Sequence, residues 1–149
     1  MVSATPHATF ASSPLSIAAL LDEADDDEFL ELLGRYREVG GLANRAEVDA
    51  VAAARGATVA TDRGRVLAFV WQGQWWVPLF QFCLTDMALK PGMAEVLAEL
   101  CPVFDRVSLA RWFLQSNDTL HGRAPVRVLD VDPGAVLAAA RLDRFVAAG

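Results

Sequence analysis

The side chains able to do acid–base, nucleophilic or metal chemistry are few and scattered. His7 lies in a Ser/Thr/Ala-rich stretch and His121 in a loop-like one. Cys83 and Cys101 stand 18 positions apart, with no C-x-x-C pairing and no histidine beside them. Neither a zinc site nor a redox pair is spelled out, and both read as buried thiols of a reducing compartment. No nucleophile has a base and an orienting group in a known spacing. Glycine loops for phosphates or dinucleotides, H-E-x-x-H and G-x-S-x-G are absent as well. The pattern predicts no catalysis, no cofactor and no bound metal.

What remains is charge. The net charge is −6, and of 13 basic side chains only Lys90 is a lysine. Residues 1–40 carry eight acids against Arg35 and Arg37, whereas residues 41–149 balance. An acidic chain is not a broad polyphosphate binder, but its neutral part can still hold a local basic patch. The run Asp25–Asp27 lacks cation-ligand spacing and suits the positive end of a helix dipole.

The elements that must position these groups follow from periodicity. With 149 residues, 54% of them apolar, the chain can bury a core without disulfide or metal. No apolar run reaches a membrane span and no signal-like leader opens the sequence, so it reads as soluble and cytoplasmic. After a loose tail, Ser13-Pro14 starts a short helix to about Leu21. Phe29, Leu32, Leu33 and Tyr36 mark a stronger one, closed by Gly40-Gly41. Asn44, with Glu47 three residues on, opens a helix that Gly56 stops. Residues 57–63 make at best a weak helix. Val66–Trp71 and Trp75–Phe80 read as a hairpin, with Pro78 making the second strand an edge or ending it. Met93, Val96, Leu97 and Leu100 form a helical stripe that ends at Pro102. A further helix runs from Asp105 to about Gln115, a loop follows to Ala124, and Pro125 starts a short helix. Asp132-Pro133 launches the last one. The expectation is mainly α with one small β-hairpin. It divides into an acidic 1–41 segment, a helix-turn-helix-like 42–84 segment with a hairpin wing, and a helical 85–149 domain.

Two segments suggest binding. Residues 44–77 have the order of a reduced helix-turn-helix: the Asn44 helix, Gly56 as turn, 57–63 as recognition stub, and the hairpin as wing. Arg45, Arg55, Thr58, Arg63 and Arg65 are its candidate DNA contacts, mostly to phosphate. The stub offers no Asn or Gln for base edges. The hairpin concentrates Phe69, Trp71, Trp75, Trp76, Phe80 and Phe82, which suit either a core junction or a homodimer contact.

The most informative stretch is Trp112–Leu129. An aromatic helix end runs into Asn117, Leu120 drops back toward the core, Gly122 supplies a positive φ, and Pro125 starts the next helix. A rigid loop of this kind binds at low ordering cost. The pattern W-[LF]-x-x-x-N-x-x-L-x-G-x-x-P-x-x-x-L resembles the toxin-binding domain of the antitoxin Xre/MbcA/ParS-like family. Trp76-Val77-Pro78-Leu79-Phe80-Gln81-Phe82 and the Pro91-Gly92-Met93 helix start are similar to family elements in the same order, so that the resemblance spans about residues 42–147. It implies a non-catalytic, dimeric protein that occludes the active-site cleft of a cognate RES-domain, NAD-consuming toxin. It also implies an N-terminal helix-turn-helix that represses its own operon, and there the sequence departs from the family. Trp112, Asn117, Leu120, Gly122, Pro125 and Leu129 match the family motif position by position, and all but Leu129 are taken as candidate partner-binding residues. His121, Arg123 and Arg127, on or beside the loop, join them as candidate partner contacts, and the tail Arg141–Gly149 is a candidate to reach into a partner's cleft. The alternative from the residues alone is a winged-helix-like DNA-binding regulator or a homodimeric interaction module.

Overall fold

A computed structural model describes residues 23–59 and 65–149. The expected tail and first short helix, and Arg63, lie outside the described residues.

Six helices are formed among them: α1 (Asp26–Tyr36), α2 (Arg45–Ala54), α3 (Met93–Leu100), α4 (Arg106–Trp112), α5 (Pro125–Val128) and α6 (Pro133–Ala148). None is long and apolar enough to cross a membrane. The caps explain where they start. Asp25 accepts from the Glu28 amide while Glu28 returns a bond to the Asp25 amide, and Asn44 and Glu47 repeat this reciprocal pair on α2; each cap satisfies two otherwise orphaned N–H groups. Asp132 caps α6 on the Ala135 amide, with Pro133 in the first turn.

The hairpin is part of a larger sheet than expected. Strands β1 (Leu42–Asn44), β2 (Phe69–Trp71) and β3 (Gln74–Pro78) form a three-stranded antiparallel sheet in the order β1-β3-β2. Strand β3 is therefore central and ends at Pro78, which sits opposite Leu42. A second pair joins β4 (Phe82–Cys83) to β5 (Ala88–Leu89). The missing strand β1 is only three residues long, too short for an alternating pattern to declare itself. At the other side of the sheet Glu23 forms a parallel bridge with Val70, the Ala24 N–H donating to the Val70 carbonyl at 2.8 Å.

Between the sheets Gln81 is fully buried. Its side chain accepts from the Leu67 N–H and donates to the Leu67 and Pro78 carbonyls, all at 2.8 Å. One amide side chain thus does for Leu67 what a neighbouring strand would do, where proline leaves the ladder.

Two apolar cores result. The larger gathers Phe29, Leu32 and Tyr36 from α1, Phe69 from β2, and the inward faces of α3 to α6. The smaller holds Ala43, Val48, Ala52, Val59, Val66, Val77 and Phe82 under α2. The aromatic hairpin serves as a junction: Phe29 stacks on Trp71 with ring centroids 3.9 Å apart and meets Trp76 edge-on. Trp75 lies beneath the Arg106 guanidinium. Tyr36 is fully buried, its hydroxyl donating to the Ala110 carbonyl. Burial holds its phenol far above the ordinary range, opposed by the nearby Arg35 charge.

Three expectations need correction. Residues 57–59 are not helical: Gly56 takes a left-handed φ of 69° that ends the helical path, and Val59 enters the smaller core from irregular backbone. Helix α4 stops at Trp112 and not at Gln115, because its last carbonyls are claimed elsewhere; Phe113 accepts from the Val126 N–H at 3.0 Å and Leu114 from Arg35 at 2.8 Å. Cys101 is exposed and Cys83 half-buried. Cys101 falls just past Leu100, off the buried stripe of α3.

Candidate functional site

Within the connection between α4 and α5, residues 116–124 are closed by hydrogen bonds onto themselves. The Asn117 N–H donates to the Arg123 carbonyl at 3.1 Å, and the Asn117 carbonyl accepts from the Leu120 and Gly122 amides at 3.0 and 2.9 Å. Its side-chain Oδ1 takes the Thr119 N–H at 3.0 Å, and Ser116 Oγ donates to the Gly122 carbonyl at 2.7 Å. A short 3₁₀ turn, Asp118–Leu120, fills the bend. His121 and Gly122 both have positive φ, 59° and 81°. Two successive left-handed residues reverse the chain in little space, and glycine carries the more open of the two without a Cβ penalty. This is a preformed elbow.

The elbow is also tied to α6. Asp143 Oδ2 accepts from Trp112 Nε1 at 2.7 Å and from Asn117 Nδ2 at 3.1 Å. Asp143 was not legible as a site residue. Its signal is that it continues the inward stripe of Val136 and Ala140, a place for an apolar side chain. A buried tryptophan N–H in need of an acceptor supplies the reason.

The named residues divide by exposure. Trp112, at 7%, and Leu120, at 2%, are committed to the larger core, and Pro125 is buried at the start of α5. Asn117 is half-buried, and its side chain holds the elbow together. His121, Gly122 and Arg123 are exposed at the elbow's tip. Arg127 is exposed one helix turn on, lining a groove of about 410 Å³ with Val39, Leu79, Phe82 and Val126, which neither His121 nor Arg123 reaches.

Beside the elbow, the last turns of α6 leave Leu142, Phe145 and Val146 uncovered, with Phe145 78% exposed. The charges among them are engaged within the chain: Arg141 and Arg144 both reach Glu99 on α3, at 3.4 and 3.1 Å. An exposed apolar stripe at i, i+3, i+4 on a helix end is the kind of surface that a protein recess covers.

The candidate DNA contacts do not assemble in the same way. Arg45 and Arg55 stand at opposite ends of α2, about 15 Å apart at 1.5 Å per residue. Arg45 pairs with Asp49 at 3.5 Å and Arg55 donates to the Val51 carbonyl at 3.4 Å. Thr58 and Arg65 are exposed on irregular backbone. Among the described residues no group of three or more His, Cys, Asp or Glu is placed to hold a metal ion.

Compared with models of known protein families, with curated proteins and with solved structures, the chain matches none.

Proposed function

We propose that the chain is an antitoxin-like binding protein. Its C-terminal helical part docks on a cognate RES-domain toxin and occludes the cleft in which that enzyme consumes NAD. The protein performs no chemistry of its own; it acts by filling space. The observation that carries this reading is the uncovered Leu142, Phe145 and Val146 beside a hydrogen-bonded elbow that presents His121 and Arg123. The aromatic side chain anchors in an apolar recess, and the elbow supplies polar contacts at its rim, the usual division of an interface into core and edge. Because the elbow is ordered before encounter, little conformational freedom is lost on docking.

The resemblance at Trp112–Leu129 supplies the partner class, and co-expression with the product of the neighbouring gene tests it. The expected result is a co-purified complex with suppressed NAD consumption, and Phe145→Asp should release the enzyme. A neighbour without a RES-like sequence, together with no co-purified complex, overturns the proposal. DNA reading is the weaker alternative, since residues 57–59 are not helical and Arg45 is already paired.

A further inference from the structure

We infer that Asp143 is the positioning residue that locks the elbow to the end of α6. Three separated stretches of chain meet at one carboxylate oxygen: the last residue of α4 through Trp112 Nε1, the first bend of the elbow through Asn117 Nδ2, and α6 itself. A carboxylate on the inward face of a helix loses hydration, and two donors converging on it compensate for that loss. Both donors are neutral and each sits on a segment held by other bonds. Trp112 is wedged in the core, and Asn117 spends its remaining side-chain acceptor and both backbone groups inside the elbow. The carboxylate therefore has nowhere to swing without leaving both donors unpaired.

Glu99 provides the opposite flank. It draws Arg141 and Arg144 toward α3, so that α6 is held on two sides within a single turn. With Arg141 and Arg144 paired to Glu99 and Asp143 bonded to the elbow, the charged side chains of that turn are tied down within the chain, and Leu142, Phe145 and Val146 stand exposed beside them. The elbow's tip and the apolar helix end then move as one body, and a partner that meets one must meet the other in fixed register. The clasp exists without a partner; its consequence for docking rests on the antitoxin-like reading.

Amide hydrogen exchange on the full chain tests this. In Asp143→Ala, the Thr119, Leu120 and Gly122 amides and those of residues 143–148 should exchange faster together, by about tenfold or more, which is what losing hydrogen bonds to a charged acceptor implies. The Val96, Leu97 and Leu100 amides of α3 should stay at the parent rate. Asp143→Asn keeps an acceptor oxygen for both donors and should restore the slow exchange. Loosening of one segment alone, of neither, or of α3 by the same factor overturns the clasp. Should Asp143→Ala fail to fold, Trp112→Phe keeps an aromatic ring in the core but removes the indole N–H together with the five-membered ring; it must loosen the same two segments while the α3 amides stay at the parent rate, and no change there is equally fatal. A failed co-purification would sink the docking reading and leave the exchange result standing, whereas unchanged exchange would do the reverse.

Discussion

The larger and smaller cores are built from similar apolar material but closed in different ways. Around the larger one, turns are fastened by side chains distant in sequence: Arg35 holds the Leu114 carbonyl, Tyr36 the Ala110 carbonyl, and Asp143 the elbow. The smaller one lies under a single helix and strands of two to five residues, with its caps and turns satisfied mainly by near neighbours. Long-range polar fastening makes a loop rigid enough to present a surface. Local fastening builds elements but leaves their relative placement to packing. The elbow, and not the helix-turn-helix-like segment, is accordingly where the proposed docking is placed.

Paired glycine substitutions should give the largest contrast. Gly92 and Gly56 share a left-handed backbone, at φ 87° and 69°. A Cβ on Gly92 would sit 2.7 Å from the Pro133 Cβ, whereas at Gly56 nothing lies within 4 Å. Gly92→Ala adds a clash that pries the start of α6 from α3, and should cost about 3–4 kcal/mol by urea denaturation. Gly56→Ala should cost only the backbone penalty of about 1–2 kcal/mol. Equal costs would mean that the two regions are equally tight.

Gln81→Leu comes next. The volume is kept, but the Leu67 N–H and the Leu67 and Pro78 carbonyls lose their partner, a loss of about 2–3 kcal/mol in the same measurement. A neutral result would show that water replaces the amide.

Tyr36 is the sole tyrosine of the chain, so its ionisation can be followed by phenolate absorbance without ambiguity. Its pKa is raised by burial in the folded state, which means that the folded chain retains a proton the unfolded chain releases. Stability should be unaffected by this group below the unfolded value near 10 and fall above it by about 1.4 kcal/mol per pH unit. Phenolate absorbance should rise only as the protein unfolds, and Tyr36→Phe should flatten that alkaline slope. Phenolate appearing with the fold intact would place the ring in solvent.

The smallest effect on folding is expected at Phe145. Phe145→Ser should change stability by less than about 0.5 kcal/mol, as for most exposed positions. A larger loss would reveal that the end of α6 is covered within the protein itself.

How much of this was legible depended on sequence distance. The Asn44–Glu47 cap, the Asp132-Pro133 start and the Met93–Leu100 stripe are local devices, and each could be read from adjacent residues. The elbow's path was legible through Asn117, Gly122 and Pro125, whose backbone preferences act on the spot. Its fastening was not, because Trp112 and Asp143 are 31 positions apart and nothing in either residue names the other. Strand β1 went unseen for a related reason: three residues carry no period, and their pairing with β3 is decided by tertiary packing. That the aromatic hairpin packs against α1 was decided by Phe29, a residue outside the hairpin.

The parallel bridge at Val70 changes what the outer flank of the sheet offers to another chain. A β-ribbon rich in tryptophan offers any passing extended chain a template of unsatisfied amides along its flank. Here the Ala24 N–H already occupies the Val70 carbonyl, and Glu23 places a carboxylate on the Gly73 N–H at 2.8 Å. A negative charge and a bonded neighbour on that flank discourage strand-by-strand growth into aggregates. Glu23 and Ala24, the two residues ahead of the Asp25 cap, thus cover the flank of the sheet as the chain enters α1.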